Sequence, residues 1–520
     1  MNPSARAPGV PHQTRSPWKP SSPSLPTKHS FYGRNLLLWL SSDIPRTAFD
    51  PIAGGRRRET KAWGKTLGHK PVTNYDARRG HHGEHCVKEI DRRQFLKAAG
   101  IATGFALTGG IASIVDARRP PAFAKGTTLH LLQPSSFVKE ADEVHRQLAR
   151  EFQQRTRVEV TIETIHPHDL QTRTATAIER GMGPDIVQMP HNWPHLYANA
   201  LVDVAEVAEP IRQRDGGYYA QIEEVCQVGS RWKAVPFCFV PLAVVYRADW
   251  FREIGVEVFP DTWDEYRQVG KQLKARGRPF GFVLAPSVRE SHALMYPLLW
   301  SFGGKETEED GKTIALASKE TKESIMFSVR LFEDALDEGG AAWDDASNNR
   351  AYLGQTISAT LNDASIYLVA KKKFPHIANA SSHAPLPQGP GGRFAWHITQ
   401  EHAIMKYSEN QKAAKEYLAW LMEREQWARW FHIQEGYRTA PTTFWERDHL
   451  WETDPRIVAF REINQYGRPP GYPGPPTAQA TQALAKHIVV EMYTKAIVRG
   501  VSPTRAIQWA VRELNKIYKG

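Results

Sequence analysis

Cysteine is scarce, with three in 520 residues. That excludes a disulfide framework. Long apolar runs are missing too: the burst Leu36-Leu37-Leu38-Trp39-Leu40 is too short to cross a bilayer. Catalytic signatures are absent. No Gly-x-Ser-x-Gly elbow occurs. Gly311-Lys312-Thr313 imitates the end of a phosphate loop, but Glu306 stands where the upstream glycine is required. Gly181-x-Gly183 lacks the third glycine of a dinucleotide fingerprint, because Ile186 stands there. Most of the chain also lacks a basic surplus. Residues 1–124 carry 20 Lys and Arg against 8 Asp and Glu, whereas residues 125–520 carry 47 against 48. The pI near 9.3 therefore reports the front of the chain, and no nucleic-acid partner is expected.

What is present suffices for two globular domains: 41% hydrophobic and 24% charged residues over 520 positions. The front looks different. Residues 1–86 show no period of 2 or 3.6, and a disordered extension is expected there. Arg92-Arg93-Gln94-Phe95-Leu96-Lys97 follows, then an uncharged stretch over 98–115 and Ala122-Phe123-Ala124. A basic start, an apolar stretch and a small-x-small cleavage site make an export signal over 87–124. The paired arginines resemble a twin-arginine signal, which passes folded proteins across the membrane. Glycines at 100, 104, 109 and 110 argue against a membrane anchor. No other Met stands between Met1 and Met182. A true start at a non-Met codon near Val87 is therefore expected, with a mature chain from Lys125.

From there strands and helices alternate. Residues 127–132 are apolar and strand-like. Val144, Leu148 and Phe152 recur at helical spacing, and Val158, Val160 and Ile162 alternate with polar residues. Strand, helix and strand in about 40 residues imply a right-handed parallel crossover. Residues 185–189 are the next strand. Two further strand-like runs, 233–237 and 242–246, join through Pro241. Thr262 and Glu265 make a capping box for a helix with Tyr266, Val269 and Leu273 as its buried face. Ser502-Pro503 opens the last helix with a cap and a first-turn proline. Residues 468–476, rich in Pro and Gly, read as a surface loop. The class is α/β.

The order of these pieces resembles the extracellular solute-binding proteins of family 1, the maltose-binding type. Five stretches carry the resemblance: Gly183-Pro184-Asp185-Ile186-Val187; Trp232-Lys233-Ala234-Val235-Pro236 through Val245-Tyr246; Phe259-Pro260-Asp261-Thr262-Trp263-Asp264-Glu265; Leu386-Pro387-Gln388-Gly389-Pro390; and residues 411–418 with Gly436 to Pro441. Arg247 stands where the family usually has Asn. The resemblance implies a two-lobed periplasmic binding protein fold of type II, each lobe a mixed sheet flanked by helices. Lobe one would hold 126–237 and 394–436, and lobe two 241–390 and 440–520. The hinge would include Phe237, Cys238, Phe239, Val240 and Pro241. It also implies a monomer in the periplasm that captures a sugar or related polyol and docks on an inner-membrane ABC permease after export through the twin-arginine translocon. A phosphorylated polyol, a polyamine or an organic acid stays open as the solute. An exported enzyme is the rival of a different class.

Ligands gather beyond the carboxyl ends of strands in open α/β sheets. That rule selects Gln133, Ser135 and Ser136 after the first strand, and His191, Asn192 and Trp193 after 185–189. In lobe two it selects Asn362 and Asp363, with Trp300 beside Gly303-Gly304. Trp396 and His397 sit at the return crossing, Tyr437 and Arg438 at the third. Sugars need forked polar groups and flat aromatic platforms, and this set offers both. Arg289-Glu290 reads equally as a solvated pair. Trp420, Trp427 and Trp430 read as packing residues. Tyr218-Tyr219 reads as a polar surface loop. No cofactor and no metal are expected. His166 and His168 lack further ligands, and Pro194 between His191 and His195 breaks the helix that a metal pair would need. Cys226 and Cys238 can form a disulfide or remain two buried thiols.

Overall fold

The computed structural model describes residues 126–519 apart from residue 288. The extension expected over 1–86 and the signal expected over 87–124 lie outside the described residues. Among the described residues no helix is long and apolar enough to cross a membrane.

The first lobe is built on a five-stranded sheet. Strand β1 (Thr128–Pro134) leads through the helix Lys139–Thr156 to β2 (Glu159–Ile165), and the two pair in parallel with Leu131 opposite Ile162. The helix buries Leu148 and Phe152. β2 is an edge strand and keeps its alternation half-exposed. β3 (Ile186–Pro190) lies parallel on the other side of β1. A short hairpin follows, β4 (Gln227–Val228) and β5 (Arg231–Trp232). β6 (Val235–Val240) then closes the far edge of the large sheet.

The second lobe holds β7 (Ala243–Arg247) between β8 (Ala359–Asn362) and β9 (Ser381–Ala384), all antiparallel. Phe280 adds parallel bridges to Ala359 and Leu336, so this sheet is mixed as well. β10 (Ile398–Ile404) returns to the first lobe and runs antiparallel between β3 and β6. The capping box forms as expected: Glu265 N donates to Thr262 Oγ1 at 3.3 Å, and Thr262 N donates to Glu265 Oε2 at 3.0 Å. It starts the helix Trp263–Lys274. Its neighbours Asp261 and Trp263 exchange backbone bonds with Gln388, which joins two of the family-like stretches in space.

Three passages of chain link the lobes. β6 runs on through Pro241-Leu242 into β7. Val240 pairs with Ile398 of the return crossing. Phe239 exchanges backbone bonds of 2.9 and 3.0 Å with Thr439 of the third. Phe237 and Cys238 lie deeper in the first sheet. Phe237 packs on His402 and Trp430 with ring centroids 4.4 and 4.5 Å apart, and Cys238 Sγ lies 3.4 Å from Gln400 Oε1. Residues 443–447 still pack on lobe one, through Trp445 against Trp427 at 4.7 Å, before the chain continues over β9.

Several local expectations need correction. Residues 468–476 are a loop, but Pro469, Pro470, Gly471, Gly474 and Pro476 are buried. Asn192 Nδ2 donates to Pro470 O at 2.9 Å and Thr307 Oγ1 to Gly471 O at 3.2 Å. Those partners satisfy the carbonyls that would otherwise need water. Ser502 holds the N-cap position of Pro503–Tyr518 without a side-chain capping bond. Tyr218 is buried, and Tyr219 packs on Phe239 while its hydroxyl donates to Glu446 at 2.6 Å. The acidic partner is 227 residues away, so no local pattern announces it. Pro194 does not break a helix: it sits in the first turn of Trp193–Leu196. Cys226 and Cys238 are free and buried. Arg247 is held by Asp249 at 2.9 and 2.7 Å and lies over Trp250, 4.0 Å from the ring centroid. Trp420, Trp427 and Trp430 are core residues as expected.

Candidate functional site

Side chains from both lobes and two crossings converge where β1 and β3 end. After β1, Ser135 is half-buried and Ser136 buried, and Phe137 is exposed. The Phe137 ring lies 5.3 Å from that of Tyr437 on the third crossing. Asp142, in the first turn of the next helix, accepts from Gln133 Nε2 and Ser136 N, each at 3.3 Å. Gln133 Oε1 in turn lies 2.9 Å from His145 Nδ1, and His145 Nε2 lies 3.0 Å from Tyr417 Oη. Gln133 therefore holds Asp142 in place and is 3% exposed. Burial pushes the Asp142 carboxyl up, against the Ser136 amide and the Arg438 charge.

Lobe two contributes a charged group. Arg289 Nη1 donates to Asp363 Oδ2 at 3.0 Å, and Nη2 lies 3.3 Å from Glu290 Oε1. Burial works against the guanidinium, but Glu290 and Asp363 outweigh it and hold its pKa above the ordinary value. Burial raises Glu290 well above the carboxylate range, with Arg289 opposing. Burial also pushes Asp345 up, but its bond with Glu290 and the Arg289 charge outweigh that and hold it low. Of the two readings left open for Arg289-Glu290, the solvated pair fails for Glu290, whose side chain is 2% exposed. Tyr437 stands among these charges; burial and then Asp363 push its hydroxyl up to about 12.

Deeper in, rings stack across the junction of the lobes. His191 lies on Trp396 at 4.8 Å, Trp396 is 5.8 Å from His292, and His292 is 4.8 Å from His487. His191 follows β3 with φ 54, and His487 is the left-handed N-cap of Ile488–Ile497. Burial lowers each of these imidazoles, His191 to about 4. Nδ1 of all three, Nε1 of Trp396 and Oδ1 of Asn192 are buried without a hydrogen-bond partner. Such groups cost free energy unless something meets them.

Of the residues selected from sequence, the structure sets Ser136 and Arg438 by Asp142, Asp363 and Tyr437 by Arg289, and His191 against Trp396, with Ser135 and Asn192 next to them in the chain. Arg438 acts on Asp142 and lies 5.4 Å over Trp430. Others are enclosed by neighbours, although Nδ1 of His397 and Nε1 of Trp300 are also buried without a hydrogen-bond partner. Asn362 bonds Asn349 and Ser365, both at 2.8 Å. His397 Nε2 lies 3.1 Å from Ile463 O. Trp193 packs edge-on to Tyr197 in the core. Trp300 is enclosed by Tyr296, Phe394 and Tyr472. Sequence reasoning missed Asp142, His292, Asp345 and His487. Extending the strand-end rule by one helical turn reaches Asp142. His292 and His487 have no linear signal.

A model of bacterial extracellular solute-binding proteins matches residues 132–426, more than half of the chain. The chain belongs to that family. It is a solute-binding protein of ABC import, and the family serves a membrane permease. The fold is shared with maltose-bound MalE3 of T. maritima, at TM-score 0.63 and 22% identity, covering 75% of this chain and 100% of that one. It is also shared with a ribitol-bound solute-binding protein of Agrobacterium radiobacter, at TM-score 0.61 and 18% identity, covering 75% and 99%. An erythritol/L-threitol-binding protein of Mycolicibacterium smegmatis is 23% identical over 330 residues, 58% of this chain and 68% of that relative.

Proposed function

We propose that the solute is a neutral sugar or related polyol, held between the lobes by Ser135, His191, Asn192, Trp396, Tyr437 and Arg438. The observation that carries this reading is the row of buried, unmet donors and acceptors along His191, Trp396, His292 and His487, with Asn192 Oδ1 beside it. Hydroxyl groups both donate and accept, so a polyol can satisfy such a mixed row. The Arg289 charge is already matched by Asp363, which favours a neutral solute on that side. Arg438 lies near enough to Asp142 to oppose its raised pKa, and its Nε is buried without a hydrogen-bond partner, open to a solute oxygen. The relatives point the same way: one binds erythritol or L-threitol, and a structural neighbour holds ribitol. Export of the folded protein through the twin-arginine route, and a monomeric state in the periplasm, complete the proposal.

Calorimetric titration with tetritols, pentitols, hexoses and their phosphate esters tests it. One neutral polyol or sugar binds with unit stoichiometry and its phosphate ester does not. Preference for a phosphate ester, a polyamine or an organic acid overturns the reading.

A further inference from the structure

A second group of ligand-type side chains flanks the third crossing in the chain, His432 before it and Asp448-His449 after it. The helix Arg424–His432 ends on His432, and Asp448-His449 lead into Leu450–Thr453. His432 Nε2 lies 2.9 Å from Asp448 Oδ1, and His449 Nδ1 lies 3.5 Å from the same oxygen. One ligand atom from each of the three falls within 4.8 Å of the others. The two imidazole rings meet edge to face with centroids 4.6 Å apart. Asp448 is the fixed member: its Oδ1 accepts the Leu450 amide at 2.8 Å, and its side chain is 12% exposed. An ordinary His–Asp hydrogen bond accounts for one ring. It leaves the second imidazole, crowded against the first on one carboxylate, without a reason.

We propose that His432, Asp448 and His449 bind a divalent transition cation, zinc in particular. Two imidazoles and one carboxylate suit zinc and its neighbours, whereas calcium and magnesium want oxygen shells. His449 is 70% exposed, which leaves a fourth position for water, as in an open zinc site. The Leu450 amide, bonded to Asp448 Oδ1, holds the carboxylate in place. A bound cation ties the end of a lobe-one helix to the segment that leaves that lobe.

The test is native mass spectrometry and calorimetry of the full chain with zinc chloride, beside His432→Ala and His449→Ala. His81, His82, His85 and Cys86 offer separate ligands near the front, so the site is read from the difference between parent and variants. The parent binds one more zinc than either variant, or binds it at least about tenfold tighter. Zinc raises the thermal midpoint of the parent more than that of the variants. Solute affinity is unchanged in His449→Ala, whose exposed side chain leaves the fold intact. Equal zinc binding by the parent and both variants overturns the proposal, as does calcium binding at this site as tightly as zinc.

Discussion

Arg289 Nη1 donates to Asp363 Oδ2 at 3.0 Å, which joins the start of the helix Glu290–Ser301 to the end of β8. The two residues are 74 positions apart. Their pairing neutralises a carboxylate that is 2% exposed, and it points the remaining guanidinium surface at Glu290.

Arg289→Met removes the charge and keeps much of the length. Asp363 is then buried without its cation. Stability falls by about 1.5–3 kcal/mol, the worth of a hydrogen bond to a charged group. Urea unfolding checks this. Solute affinity falls at least about tenfold, equivalent to about 1.4 kcal/mol, because the neighbouring Glu290 and Tyr437 lose their fixed charge.

Trp396→Phe separates packing from hydrogen bonding. The ring still lies between His191 and His292, and because the smaller ring leaves a cavity beside a 1% exposed residue, stability falls by about 1–3 kcal/mol. Nε1 is gone. If it donates to the solute, affinity falls by the 0.5–1.5 kcal/mol that is typical, in rough terms, of a neutral hydrogen bond. Calorimetry that shows unchanged affinity removes Trp396 from the solute contacts.

Burial lowers the His383 pKa to about 4, His397 to about 4 and His145 to about 3, from 6.5. The folded chain keeps them neutral, while the unfolded chain protonates them as pH falls below 6.5. Their contribution is therefore complete above that value and is lost as pH falls towards 4, by about 1.4 kcal/mol per pH unit for each. Glu306 opposes them, since burial lifts its carboxyl to about 7. A difference measurement isolates one histidine. His383→Asn flattens the loss of stability between neutral pH and about pH 5 by that single slope, read from urea midpoints. An unchanged slope rejects the assignment.

Burial raises the Cys226 thiol well above its ordinary value and pushes Cys238 up to about 12. Neither forms thiolate at neutral pH. Without reductant, both stay unlabelled by iodoacetamide in the native protein and both react once it is unfolded. A pair that stays unlabelled after unfolding is a disulfide.

Gly389→Ala puts a Cβ 2.4 Å from Ser301 O and 2.9 Å from Ser301 C. Both are backbone atoms, so the return crossing must move. A loss of about 1–3 kcal/mol is expected from thermal unfolding, in line with other overpacked sites.

Local chemistry determined much of the protein. A short apolar run marked β1, and period-2 and period-3.6 patterns marked β2 and the helix between them, because half-buried elements must repeat with their own geometry. Thr262 and Glu265 announced a helix start, because free amides need acceptors within one turn. The strand-end rule selected His191, Asn192 and Asp363, and these residues do follow the ends of β3 and β8.

Tertiary structure alone decided the rest. His191 and His292 meet across Trp396 from opposite lobes, and His487 joins them from 195 residues beyond His292. Pro469, Pro470, Gly471, Gly474 and Pro476 are buried although the composition of this loop suits a surface, and Asn192 and Thr307 supply hydrogen bonds to its carbonyls. Asn362 looks like a free ligand in the chain and is fully engaged in the fold. Which polar atoms remain unmet depends on partners distant in sequence, and no linear pattern encodes them.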